Sequence, residues 1–213
     1  MPDPVKTRTY RSQKRREAAE ATRRAVLRAA RELFTRHGYQ DTAVAEVAAR
    51  AGVSVDTVYA SVGRKPRLLL AVHDMELGSS EQPIPAEQRD YVRAMREAVG
   101  ARAKITVYAE AMGRLLPRTV PLADALRVAG ATDPECRKVW ERLDDRRSRN
   151  MRLFAADLRA TGEVRDDLTD DEVADLVWSM NSPQYYLLVT GHGRSPTEYA
   201  ALVADVWTRT LLA

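Results

Sequence analysis

Cysteine is nearly missing from this chain, with only Cys136 in 213 residues. A lone cysteine closes no internal disulfide, and it reads as a small helix residue. The three histidines, His37, His73 and His192, stand far apart, so no Cys/His cluster has metal-site spacing; neither a metal nor a cofactor is expected. No run approaches the roughly 18 apolar residues of a membrane span. The first residues are polar and basic, unlike a signal sequence, and a cytoplasmic chain with no membrane partner is expected. A glycine-rich phosphate loop and a nucleophile–base pair at catalytic spacing are absent too, which argues against an enzyme. What is present is a hydrophobic content of 45%, enough to exclude wholesale disorder, on a length that allows one or two domains with a real core.

The net charge of +4 is unevenly spread. Residues 1–78 hold 15 Lys or Arg against 9 Asp or Glu, and the rest holds 19 against 21. Basic character therefore belongs to the N-terminal third, as in a chain that meets nucleic acid there. A sequence-indifferent architectural protein would be basic throughout, and the acidic remainder argues against one. Residues 1–16 carry Lys6, Arg8, Arg11, Lys14, Arg15 and Arg16 against Asp3 without apolar periodicity. They read as a flexible basic arm that follows the phosphate backbone or enters the minor groove, or else as a merely solvated tail.

The stretch from Thr42 to Lys65 organises the chain. Val44, Val47, Ala48 and Ala51 share one helical face; Gly52-Val53-Ser54 makes a tight turn; a short second helical run, Val55 to Ser61, follows, with Val58 and Val62 expected inward, packed on the first two helices. Gly52 supplies the turn geometry, and Ser54 caps the second helix. This helix-turn-helix leaves Val55, Asp56, Thr57, Tyr59 and Ala60 facing out, as a helix in the major groove requires. A preceding helix, about Glu17 to His37, braces it through Val26, Ala30, Leu33 and Phe34. A following helix opens at Lys65 with Pro66 in its first turn and runs to about Glu76.

Gly78 to Pro85 reads as a linker, and only helices are expected beyond it. One spans about Ala86 to Leu116, interrupted near Gly100 and stopped by Pro117 and Pro121. A short one follows near Leu122 to Val128. Asp133-Pro134-Glu135 opens a long helix ending at Gly162. Thr169 with Glu172, and Ser195 with Glu198, make capping boxes ahead of the last two helices. Pro183 is expected to kink the first of these without breaking it. The fold expected is all-α: a basic arm (1–16), a three-helix helix-turn-helix domain (17–66) and a C-terminal helical bundle (67–213).

Residues 24–72 resemble the DNA-binding domain of the TetR family of bacterial transcriptional regulators, and the remainder matches that family in its helical plan and length. The resemblance implies a homodimeric repressor of a palindromic double-stranded DNA operator, released by a small-molecule effector; an activator or a corepressor-dependent regulator fits the same residues. It implies phosphate contacts from Thr57, Tyr59 and Lys65 and base contacts from Val55 and Asp56, where Asp56 either accepts from a cytosine amino group or caps the helix. The chain departs from the family at Ala43, where a threonine is common, so that Thr42 beside it is the candidate contact. It departs again at Ala60-Ser61-Val62-Gly63, where aromatic residues are usual; Ala60 and Ser61 complete the candidate interface. The dimer implied pairs Asp170 to Thr190 and Pro196 to Leu211 with their copies, though these apolar faces are equally ordinary core. Candidate pocket residues are Tyr108, Met112, Trp140, Trp178, Asn181 and Tyr185, each of which also fits plain core. The lack of strong charge among them favours a mostly apolar effector.

Overall fold

The computed structural model describes residues 4–213 apart from Pro83, with side chains from Ser12 onward. Among the described residues there are ten α-helices and no strand, only an isolated bridge between Val164 and Leu212. The helices are α1 (Pro4–Asp41), α2 (Val44–Ala51), α3 (Val55–Ser61), α4 (Lys65–Gly78), α5 (Asp90–Glu97), α6 (Ala101–Ala129), α7 (Pro134–Arg159), α8 (Asp170–Met180), α9 (Pro183–Gly191) and α10 (Pro196–Leu211). The chain forms two compact units, Met1–Met75 and Glu76–Ala213.

In the first unit α1, α2 and α3 pack on one another. Their inward residues are Val26, Ala30 and Phe34 of α1, Val47 and Ala48 of α2 and Val58 of α3, all buried, with Leu68, Leu69 and Val72 of α4. A helix of seven residues such as α3 has no stability of its own. Val58, at 0% exposure, docks it, and burying one valine contributes about 1.5–3 kcal/mol. Gly52 closes α2 at φ 69°, and Ser54 caps α3 by accepting from the Thr57 N–H at 3.1 Å. The expected first helix has no boundary at Glu17: α1 begins at Pro4, so residues 4–16 of the expected arm belong to it, while Met1 to Asp3 lie outside the described residues. Gly38, at φ 76° and ψ 176°, kinks its end.

In the second unit α6 is central, packing on α5, α7, α9 and α10. The core takes in Ile105, Tyr108 and Met112 of α6, Phe154 and Leu158 of α7, Val177 of α8, Tyr186 of α9 and Tyr199, Val203 and Trp207 of α10. Two expectations are corrected here. Pro117 and Pro121 do not stop α6, which runs through both. Both prolines stand on its exposed side, while Leu115, Leu116, Thr119 and Val120 hold the other face in the core. Pro183 breaks the helix where a kink was expected. Ser182 accepts from the Tyr185 N–H at 3.0 Å and Pro183 takes the first position of a new helix, where its missing N–H costs nothing.

Candidate DNA interface and effector cleft

The short helix α3 presents its outer face as the sequence suggests. Asp56, Tyr59 and Ala60 are exposed, Tyr59 at 45%, and Val55, Thr57 and Ser61 are half-buried. The hydroxyls differ in how free they are. Thr57 Oγ1 lies 2.8 Å from Ser54 Oγ, and Ser61 Oγ donates to the Val58 carbonyl at 3.0 Å. The cap of α3 is Ser54, so Asp56 stands exposed in its first turn with that role already filled. Thr42 is only 1% exposed and donates to the Gly38 carbonyl at 2.7 Å, securing the bend between α1 and α2. Lys65 opens α4 beside α1: its Nζ donates to the Gln40 carbonyl at 3.2 Å and lies 4.5 Å from the Tyr39 ring centroid. An ammonium at a helix N-terminus, in a unit rich in arginine, is suited to an anion. Sequence reasoning missed Arg23, which donates to the Ser61 carbonyl at 2.7 Å and ties the end of α3 to α1.

In the second unit a cleft of about 70 Å³ opens between the start of α5 and α7, walled by Tyr91, Met95, Met151 and Phe154 with Tyr108 as its floor. Tyr108 stacks on Phe154 at 4.4 Å and meets Tyr91 edge-on at 5.9 Å. Asn181 Nδ2 donates to the Tyr108 hydroxyl at 3.3 Å and to Met151 Sδ at 3.2 Å. Burial pushes the Tyr108 phenol well above its ordinary pKa and keeps it protonated. Of the six candidate pocket residues, Tyr108, Met112 and Asn181 are buried and Trp178 and Tyr185 half-buried; Tyr108 and Met112 belong to the core, and Trp178 and Tyr185 pack against it. Trp140 is half-buried on α7, apart from that group. Arg147, unremarked in the sequence, pairs with Asp144 and donates to the Trp178 carbonyl at 2.7 Å, its guanidinium 5.5 Å from the Trp178 ring.

Residues 26–72 match the family model described as bacterial regulatory proteins, tetR family. No curated protein matches the chain in sequence. Many solved structures share its fold, three of them as follows. A Saccharomonospora viridis protein in complex with choline aligns with a TM-score of 0.68 at 18% identity, covering 90% of this chain and 97% of its own. The transcriptional regulator FadR of Bacillus subtilis in complex with stearoyl-CoA aligns at 0.65 and 16%, covering 86% and 96%. NalD of Pseudomonas aeruginosa, the secondary repressor of the MexAB-OprM multidrug efflux pump, aligns at 0.65 and 20%, covering 91% and 98%.

Proposed function

We infer, from the match of residues 26–72 to the tetR family of bacterial regulatory proteins and from the shared fold, that this chain is a homodimeric repressor that binds a palindromic or near-palindromic operator and leaves it when a small effector enters the helical unit. The observation that carries the reading is the division of α3 between one fully buried valine and an outer face of Val55, Asp56, Thr57, Tyr59 and Ala60, with Lys65 opening the next helix. Lys65, Thr57 and Tyr59 hold phosphates, and Val55 and Asp56 reach base edges, a valine against a thymine methyl and a carboxylate toward a cytosine amino group. Thr42 acts from inside the domain, through the bend that it bonds, and Ala60 and Ser61 border the groove. Residues 17–66 read the DNA, the arm 1–16 adds charge, and 67–213 carry the effector site and the dimer contact. The protein acts in the cytoplasm, where its operator is.

One recognition helix reads too few base pairs to select a site, and a two-fold dimer doubles the number. Leu187 and Leu188 of α9 are 40% and 61% exposed, which supports the pairing of α8 to α10 with their copies. Release by an effector is supported by the Tyr108 cleft and by the end of α4: Glu76, 6% exposed, pairs with Arg118 of α6 at 3.5 Å, ten residues along from Tyr108. Fold neighbours solved with choline and with stearoyl-CoA differ in the charge of what they hold, and choose no effector for this chain.

Selection of duplexes from a random pool by the purified protein at physiological salt tests the reading. An inverted repeat with half-sites a helical turn or a multiple apart is expected. Binding that only follows salt, with no preferred sequence, would sink it in favour of an architectural role.

A further inference from the structure

Helix α3 meets the rest of its domain at its start, its middle and its end. The start hangs on the turn after α2, where the Val53 N–H donates to the Ala48 carbonyl at 3.0 Å. The middle is docked by Val58, which is fully buried. The end is tied by Arg23 of α1, whose Nη1 donates to the Ser61 carbonyl at 2.7 Å. Ser61 is the last residue of α3, and the chain leaves it through Val62 and Gly63, the latter at φ 102°. The last carbonyls of a helix have no partner within it, and an arginine beside them supplies one. Arg23 is half-buried and has no carboxylate partner among the described residues; its guanidinium is committed to this carbonyl.

The three anchors do different work. The turn and Val58 set where α3 lies and how deep it sits, but both precede its final turn. A helix of seven residues frays from an end that nothing holds. A charged donor makes the stronger kind of hydrogen bond, and one placed on the last carbonyl fixes that end against α1. With both ends held, α3 has a single axis.

We propose that Arg23 is a positioning residue for base reading: from α1 it fixes the end of α3, and with it the angle at which α3 carries Val55 and Asp56 into the major groove. It touches no base and holds no phosphate. Base contacts need side chains within bonding distance of particular edges, whereas phosphates recur along any duplex. A misaligned α3 loses discrimination first and general affinity last. The proposal rests on α3 being the reading helix of an operator-binding repressor.

Arg23→Met keeps the apolar stem and removes the donors, and Arg23→Lys keeps a cationic donor on a shorter stem. Amide exchange is measured first, on the DNA-free full-length protein. Arg23→Met is expected to speed exchange of the Val62 and Gly63 N–H groups, which close the end of α3 on the Val58 and Tyr59 carbonyls, and to leave the middle of α1 unchanged. Binding is then compared, at a temperature where circular dichroism shows the variants folded, on the operator selected by the unaltered protein and on a random duplex. Arg23→Met is expected to lower operator affinity on the order of tenfold, with random-duplex affinity and the salt slope unchanged. Arg23→Lys is expected to fall between, and carries the same comparison if the methionine variant does not fold. Asp56→Ala is expected to cost less in Arg23→Met than alone, although no hydrogen bond or ion pair joins the two residues among those described.

The proposal is overturned if exchange at Val62 and Gly63 is unchanged, if the folded variants keep full preference for the operator, or if the Asp56 effect is simply additive. It is overturned too if both duplexes are lost alike with a salt slope smaller by roughly one unit, which would make Arg23 a phosphate ligand. Selection of no operator by the unaltered protein would sink the repressor reading instead, and the exchange measurement, made without DNA, tells the two failures apart.

Discussion

Lys65 Nζ sits over the Tyr39 ring, 4.5 Å from its centroid, while donating to the carbonyl of the next residue, Gln40. The cation is thereby held at the N-terminus of α4 beside the end of α1, instead of sweeping through solvent. Its contribution to an exposed aromatic contact is about 0.5–1 kcal/mol. Lys65→Ala is expected to lower domain stability by no more than that, to weaken binding to every duplex alike, and to reduce the salt slope of operator binding by roughly one unit. A loss confined to one base sequence would contradict the phosphate role.

Asp56 is exposed at the start of α3, and Ser54 performs the capping. Asp56→Ala should therefore leave the helix intact and relax preference at a single base position by about 1–3 kcal/mol. Competition binding against operators altered one position at a time checks this. Uniform weakening across all of them would count against base contact.

Gly113 and Gly52 separate steric from conformational need. A Cβ at Gly113 would stand 3.0 Å from Ala200 Cβ and from the Pro196 carbonyl oxygen, so α10 lies where that side chain would go. Alanine is the better helix former by about 1 kcal/mol. Gly113→Ala is nevertheless expected to lower Tm, because overpacking typically costs about 1–3 kcal/mol. At Gly52 nothing lies within 4 Å, and the residue is left-handed at φ 69°. Gly52→Ala should cost about 1–2 kcal/mol from backbone strain alone.

Leu188, 61% exposed on α9, is the most open leucine of the proposed dimer face. Leu188→Glu should yield a monomer in sedimentation at micromolar concentration, with melting of the monomeric unit little changed and operator affinity greatly reduced. A dimer that persists would move the interface elsewhere.

The capping boxes set the acid response. The Glu172 carboxylate accepts from the N–H and hydroxyl of Thr169, both at 2.8 Å, and Glu198 accepts from those of Ser195 at 2.7 and 2.8 Å. These bonds hold both carboxyls below the usual glutamate range. A folded-state pKa below the unfolded one gives stability that is complete above the unfolded value and is lost as pH falls through the folded value. The first turns of α8 and α10 should loosen in acid, and carboxyl titration by NMR should place both midpoints below that of an ordinary glutamate. Thr169→Ala should raise the Glu172 midpoint and leave Glu198 where it was.

The sequence carried the helix-turn-helix almost completely, because its signals are local: the spacing of Val47, Ala48 and Val58, the positive φ required at Gly52, the cap at Ser54. Asp133-Pro134 and Ser195-Pro196 read correctly as helix starts for the same reason. Ser182-Pro183 carried the identical signal and was overridden by the apolar residues after it. Pro117 and Pro121 misled in the other direction, since which side of a helix faces water is decided by its neighbours in space. The two prolines, four residues apart, share a side. Arg147 was hidden among the many arginines of α7. Of the six residues picked for being large or polar on apolar helices, Tyr108 lines the cleft, Met112 and Asn181 are buried, and Trp140 stands apart from the core.

The docking of α3 by Val58 has a consequence for genetics. A reading helix of seven residues with no stability of its own is lost as soon as its socket loosens, whatever the state of its outer face. Screens for lost repression would therefore collect Val26, Val47 and Val58 beside Lys65 and Tyr59, and only the first group would be rescued by lowering the growth temperature.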